Sequence, residues 1–137
     1  MLEFLRLRAR SIGYALEGWW HVLRTQRNTW IHTLISLAVV GVGLWLGLPP
    51  RDWAILVLTM GLVWIAEFFN TAIEALTDLA SPQYNHLAKI SKDVGAAAVL
   101  IAAGTAILIG LLILGPPLWG RLFGENQWIS LNSVLAP

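Results

Sequence analysis

Three apolar stretches divide this chain of 137 residues, at about 30–48, 53–79 and 93–114. A helix needs about 20 apolar residues to cross a hydrocarbon layer about 30 Å thick, so each stretch is long enough to span a bilayer. Hydrophobic residues make up 57% of the chain and charged residues only 12%, against about 25% charged in a soluble domain. The fold expected is all-α and integral to the membrane. Residues 4–25 interleave Phe4, Leu5, Leu7, Ile12, Trp19 and Trp20 with arginines, the pattern of an amphipathic helix lying on the membrane surface. The domain is expected to cover 1–115, with 116–137 a tail of unassigned role.

The second stretch contains residues that a simple span would exclude: Glu67, Asn70, Glu74 and Asp78. At 100° per residue, the three acids fall within about 40° of one another and Asn70 lies about 60° to one side. Measured back from Leu79, Asp78 is interfacial, Glu74 about 7 Å deep and Glu67 about 18 Å deep. One ionised carboxylate at membrane depth costs about 2.5–3.5 kcal/mol on insertion scales. Three on one stripe must be met by water, metal or a partner charge. A structural polar seam is the plain alternative, and it accounts for Asp78 better than for Glu67 and Glu74 together. Carboxylate and amide oxygens suit Mg²⁺, and a carboxylate held out of water suits general-base work.

Charge placement sets the expected orientation. Arg6, Arg8, Arg10, Arg24 and Arg27 precede the first span, and Lys89 and Lys92 lie between the second and third. The link after span one holds only Arg51, and the tail only Arg121. The positive-inside rule then puts the N-terminus and the 80–92 loop in the cytoplasm and the C-terminus outside. The first apolar run starts too late for a signal peptide. The absence of cysteine excludes disulfide and thiol chemistry, and the net charge of +1 gives no footprint for nucleic acid.

Asn28–Thr29 is a reasonable cap for span one, and Pro49-Pro50 should end it, with Arg51-Asp52-Trp53 an external turn. Lys92–Asp93 is expected to open span three, where a helix start and a lysine favour phosphate. Ala98, Ala102 and Ala106 at four-residue spacing suit close helix packing. His32 reads as an interfacial histidine bonded to headgroup or water rather than as a ligand. No G-x-x-x-x-G-K-[ST] loop and no G-x-G-x-x-G is present. The residues alone reach a cytoplasm-facing site for metal and phosphate.

Glu67-x-x-Asn70-Thr71-Ala72-Ile73-Glu74-x-x-x-Asp78, with Lys92-Asp93-x-Gly95-Ala96-Ala97-Ala98-Val99, resembles the signature of the small prokaryotic diacylglycerol kinase/undecaprenol kinase family. The resemblance runs from about Gly13-Tyr14 to Leu114. It implies a homotrimer of three-span subunits in the prokaryotic inner membrane, each with a surface helix, using Mg-ATP to phosphorylate a lipid hydroxyl. It further implies that Glu67 is the general base and that Glu74 binds Mg²⁺. Tyr14, Gln83, Tyr84, Asn85, Lys92 and Asp93 match nucleotide-contacting positions, and Asn70 and Asp78 match supporting ones. The chain departs from the family at Gln26, where a second metal-binding glutamate is usual. Arg27-Asn28-x-x-Ile31-His32 and Ser81-Pro82-x-Tyr84-x-x-Leu87-Ala88-Lys89-Ile90 look more like the undecaprenol branch than the diacylglycerol branch. A small proton- or cation-coupled transporter would also explain Glu67 but not Lys92–Asp93, and a purely structural membrane subunit would tolerate Glu67→Gln and Glu74→Gln without functional loss.

Overall fold

The computed structural model describes residues 1–124 and is all-helical over them. Its four helices are α1 (Leu2–Thr25), α2 (Arg27–Leu46), α3 (Pro50–Ala80) and α4 (His86–Phe123). Of these, α2, α3 and α4 are long and apolar enough to cross a membrane. The reading of 116–137 as a tail falls largely outside the described residues, Trp128 included.

Each junction has a local cause. Between α1 and α2 the only residue outside a helix is Gln26, whose φ of −98° and ψ of 115° are extended. Its N–H still donates to Val22 O at 3.0 Å, so α1 closes cleanly while the chain turns. Asn28 lies inside α2, and no side chain caps that helix, so the expected Asn28–Thr29 cap is corrected. Gly47 ends α2 at φ 68°, a left-handed conformation that glycine adopts without penalty.

Pro50 occupies the first position of α3, where its missing N–H would be unpaired anyway. Arg51, Asp52 and Trp53 therefore form a helical first turn, not the expected external turn. Asn85 caps α4, its Oδ1 accepting from Leu87 N at 2.8 Å and Ala88 N at 3.3 Å. The polar link is thus only 81–85, shorter than the expected 80–92 loop.

The other end of α4 also departs from expectation. Pro116 and Pro117 sit inside the helix, which continues to Phe123. Two prolines remove two backbone donors, but stacking of Trp119 on Phe123 at 4.5 Å and Arg121 over the Trp45 ring at 5.7 Å hold the last turns.

One seam organises the packing. Along α3 the buried residues are Leu56, Thr59, Val63, Glu67, Asn70 and Thr71, a single face at three- and four-residue spacing. This face meets α4, the strongest helix pairing in the molecule, through Gly95 and Val99. The α1 helix is pinned by Val22, which is buried, and by Trp19, whose ring packs edge-on against Trp64 at 6.1 Å and Phe68 at 6.3 Å. Most large apolar side chains on the spans remain exposed, as lipid or neighbouring spans would require.

Gly95 marks the closest approach in the seam: a Cβ built there would lie 2.5 Å from Asn70 Oδ1. Asn70 cannot easily give way, because it is buried and its amide donates to Glu74. Gly95→Val is therefore expected to lose about 1–3 kcal/mol through overpacking, read as a lower thermal midpoint in detergent.

Candidate active site

The buried face of α3 changes character halfway along. Leu56 and Val63 are apolar, whereas Glu67, Asn70 and Thr71 carry polar atoms into the same seam, and Glu67 is only 2% exposed. Heptad-like spacing keeps Glu67, Asn70 and Glu74 in line. Thr71 donates to its own helix, at Glu67 O, 2.9 Å, which leaves its side chain no further donor to give.

Glu74 is the best-held group. Its Oε1 accepts from Asn70 Nδ2 at 3.0 Å and its Oε2 from Gln26 Nε2 at 3.0 Å. The second bond crosses from the α1–α2 junction to α3, and it exists because Gln26 is the one residue free of both helices. The expected departure at Gln26 thus has a structural role: its amide donates to the carboxylate that a glutamate at the same position would repel.

Among the described residues, four buried polar atoms have no hydrogen-bond partner: Thr29 Oγ1, His32 Nε2, Glu67 Oε2 and Asn70 Oδ1. They come from two facing helices. Gln26 on Glu74 fixes one end of the α2–α3 register, and Trp53 packed on Gly43, 2.9 Å from a Cβ built there, fixes the other. Six residues on from Gln26 is His32 and seven back from Glu74 is Glu67, so antiparallel pairing brings the two together. His32 and Glu74 are also ionisable neighbours of Glu67. Of the two partners expected for His32, headgroup or water, the burial of Nε2 corrects the headgroup. Thr29, fully buried, also escapes sequence reasoning. Its only signal is its place three residues before His32 on the same face.

At the α3–α4 end, Lys92 pairs with Asp78 and Lys89 with Asp93. Because α4 begins at His86, Lys92 and Asp93 lie in its second turn, and the expected helix-start anion site at these residues is not formed. Lys92 nonetheless joins the carboxylate face through Asp78. Gln83, Tyr84 and Asn85 are exposed on the link beside it, with Asn85 Oδ1 committed to capping. Tyr14 is exposed on α1 and twelve residues from Gln26, about 18 Å along the helix. The chain does not bring it to Glu74.

Among the described residues, no three His, Cys, Asp or Glu side chains cluster to cage a metal. What is present is one amide-anchored carboxylate, Glu74, with the unpartnered Oε2 of Glu67 two turns back along the same helix. Mg²⁺ keeps most of its waters and takes one or two carboxylates plus substrate phosphates. The donor set fits a magnesium ion arriving with a nucleotide and does not form a resident all-protein cage.

A family model described as prokaryotic diacylglycerol kinase matches residues 13–114. A diacylglycerol kinase of Synechocystis sp. is 45% identical over 109 residues, covering 79% of this chain and 62% of the relative. An undecaprenol kinase of Bacillus subtilis is 38% identical over 109 residues, covering 80% of this chain and 89% of the relative. A diacylglycerol kinase of Escherichia coli is 38% identical over 113 residues, covering 77% of this chain and 86% of the relative. The chain thus matches less than two thirds of the Synechocystis protein and most of the other two.

Proposed function

The chain belongs to the prokaryotic diacylglycerol kinase family, and from that premise we propose that it is a lipid kinase moving the γ-phosphate of Mg-ATP onto a lipid hydroxyl. The observation that carries the proposal is the face of α3, where a buried unpartnered carboxylate stands two turns from an anchored one. Such a face divides the labour of phosphoryl transfer, which is mainly positioning and electrostatic stabilisation. A transporter would need Glu67 but would leave the Gln26–Glu74–Asn70 anchor without a task.

Glu67 accepts the proton of the lipid hydroxyl, which reaches it laterally from the bilayer. Glu74, steadied by Gln26 and Asn70, holds the nucleotide's Mg²⁺, and that ion supplies neutralisation of phosphate charge. Lys92, kept near by Asp78, offers a cation to the transferring group. Gln83, Tyr84, Asn85 and Asp93 contact the nucleotide from the link and the start of α4. Tyr14 does so only from α1, and because the single chain keeps it distant from Glu74, a neighbouring subunit of a homotrimer is the natural recipient. The surface placement of α1, the inner-membrane location and the cytoplasmic N-terminus belong to the same reading.

For the acceptor we favour undecaprenol, on the Arg27-Asn28-x-x-Ile31-His32 pattern; the Synechocystis relative, named diacylglycerol kinase, supports diacylglycerol as the second choice. Radiolabelled γ-phosphate and a panel of both lipids decide between them. Label on undecaprenol supports the reading, label on diacylglycerol alone corrects the acceptor, and label on neither overturns it.

Gln26 makes a separate prediction. Gln26→Glu adds a carboxylate beside Glu74, so like charges face each other until a cation arrives. A Mg²⁺ titration should then reach half-maximal activity at a concentration several-fold lower, and Mg²⁺ should raise the thermal midpoint more than in the parent. An unchanged titration would remove Gln26 from the metal face.

A further inference from the structure

Glu67 Oε2 and His32 Nε2 are both buried, both unpartnered and brought together by the register of α2 on α3. They do not hydrogen-bond to each other, and one group placed between them would satisfy both. The carboxylate only accepts, and an imidazole N–H donates. A single group that satisfies both would give one hydrogen and take another. A hydroxyl does both, whereas an ammonium can only give and an ionised phosphate can only take. Resting on the lipid kinase reading above, we propose that His32 is a further catalytic residue: its Nε2–H donates to the oxygen of the acceptor hydroxyl whose hydrogen Glu67 Oε2 accepts.

These two contacts leave the hydroxyl oxygen a further lone pair free for bond formation. In the transfer step that lone pair forms the new O–P bond. The bond from γ-phosphorus to the β,γ-bridging oxygen breaks with its electrons on ADP, and the hydroxyl proton passes to Glu67. The His32 donor bond moves from the alcohol to the ester oxygen, and the histidine is unchanged at the end. Thr29 Oγ1, one turn nearer Glu74 along α2, is also buried without a partner. The acceptor class is a lipid primary alcohol, which undecaprenol and diacylglycerol share.

The test uses the full chain in mixed micelles, with undecaprenol and dioleoylglycerol as separate acceptors. His32→Leu should lower kcat/KM for the phosphorylated lipid about 10- to 100-fold, the loss of one buried hydrogen bond to the reacting group. The KM for ATP should stay unchanged. His32→Gln, which keeps an amide donor near the same place, should recover most of the loss. Nitrogen NMR of the wild-type chain needs no variant to fold: the His32 Nε2 resonance should move on adding the lipid alcohol without ATP, and should not move with the deoxy analogue, which lacks the acceptor oxygen.

A His32→Leu chain with wild-type kcat/KM, or an Nε2 resonance indifferent to the alcohol, would overturn the assignment and leave water as the occupant of the slot. In both cases lipid phosphorylation by the wild type would leave the kinase reading standing. A wild type that phosphorylates neither lipid would overturn both.

Discussion

Glu67→Gln should abolish lipid phosphorylation while leaving the protein folded. The side chain is 2% exposed and its Oε2 has no partner, so exchanging one oxygen for an amide nitrogen breaks no hydrogen bond in the structure. It removes the buried carboxylate proposed above to take the proton of the lipid hydroxyl. General-base catalysis contributes about 10²- to 10⁴-fold, and kcat should fall by that amount. The KM for ATP should hold, because Glu67 lies away from the Lys92 end. Removing an ionisable group from membrane depth should leave the thermal midpoint equal or higher. Retained turnover in this variant would remove Glu67 from the chemistry.

Glu74→Ala should fail in a different way, losing activity and stability together. Glu74 is the shared acceptor of Gln26 Nε2 and Asn70 Nδ2. Its removal leaves two part-buried amides without a partner, at about 1–3 kcal/mol for a buried group, and unties the α1–α2 junction from α3. It also removes the carboxylate proposed above to hold Mg²⁺, so excess Mg²⁺ should not restore turnover. A midpoint lower by several degrees together with loss of activity is the expected signature. Loss of activity with an unchanged midpoint would mean that the Gln26 tie does not hold the junction. The contrast with Glu67→Gln separates a group that reacts from a group that also builds.

Much of this arrangement is legible in the order of the residues, because hydrophobicity and helical period report different things. The apolar runs locate the three spans, and the 100° step places Glu67, Glu74 and Asp78 on one stripe. What hydrophobicity marks, however, is membrane thickness and not helix length. With 38 residues, α4 is about 57 Å long, nearly twice the hydrocarbon layer. Its polar first turns from His86 and its proline-bearing last turns therefore read as link and tail. For that reason hydrophobicity places the helix start at Lys92–Asp93, too far along the chain.

The break at Gln26 carries no glycine or proline, and nothing local announces it. It becomes intelligible only when Glu74 is found 3.0 Å from its amide. The setting of His32 is hidden because depth along a helix does not reveal which neighbour a face meets. That depends on the α2–α3 register, one end of which is set by a pair 48 residues apart in sequence and lies outside any local window.

The central claim is that the α3 face passes a phosphoryl group from nucleotide to lipid, and phosphorus NMR of a single reaction mixture tests it most directly. Purified protein, Mg-ATP and the lipid panel should give a new lipid phosphomonoester resonance that grows in step with ADP. The signal should require Mg²⁺ and be absent with Glu67→Gln. ADP accompanied only by inorganic phosphate, or no turnover in a chain that instead carries protons or cations across liposomes, would contradict the account.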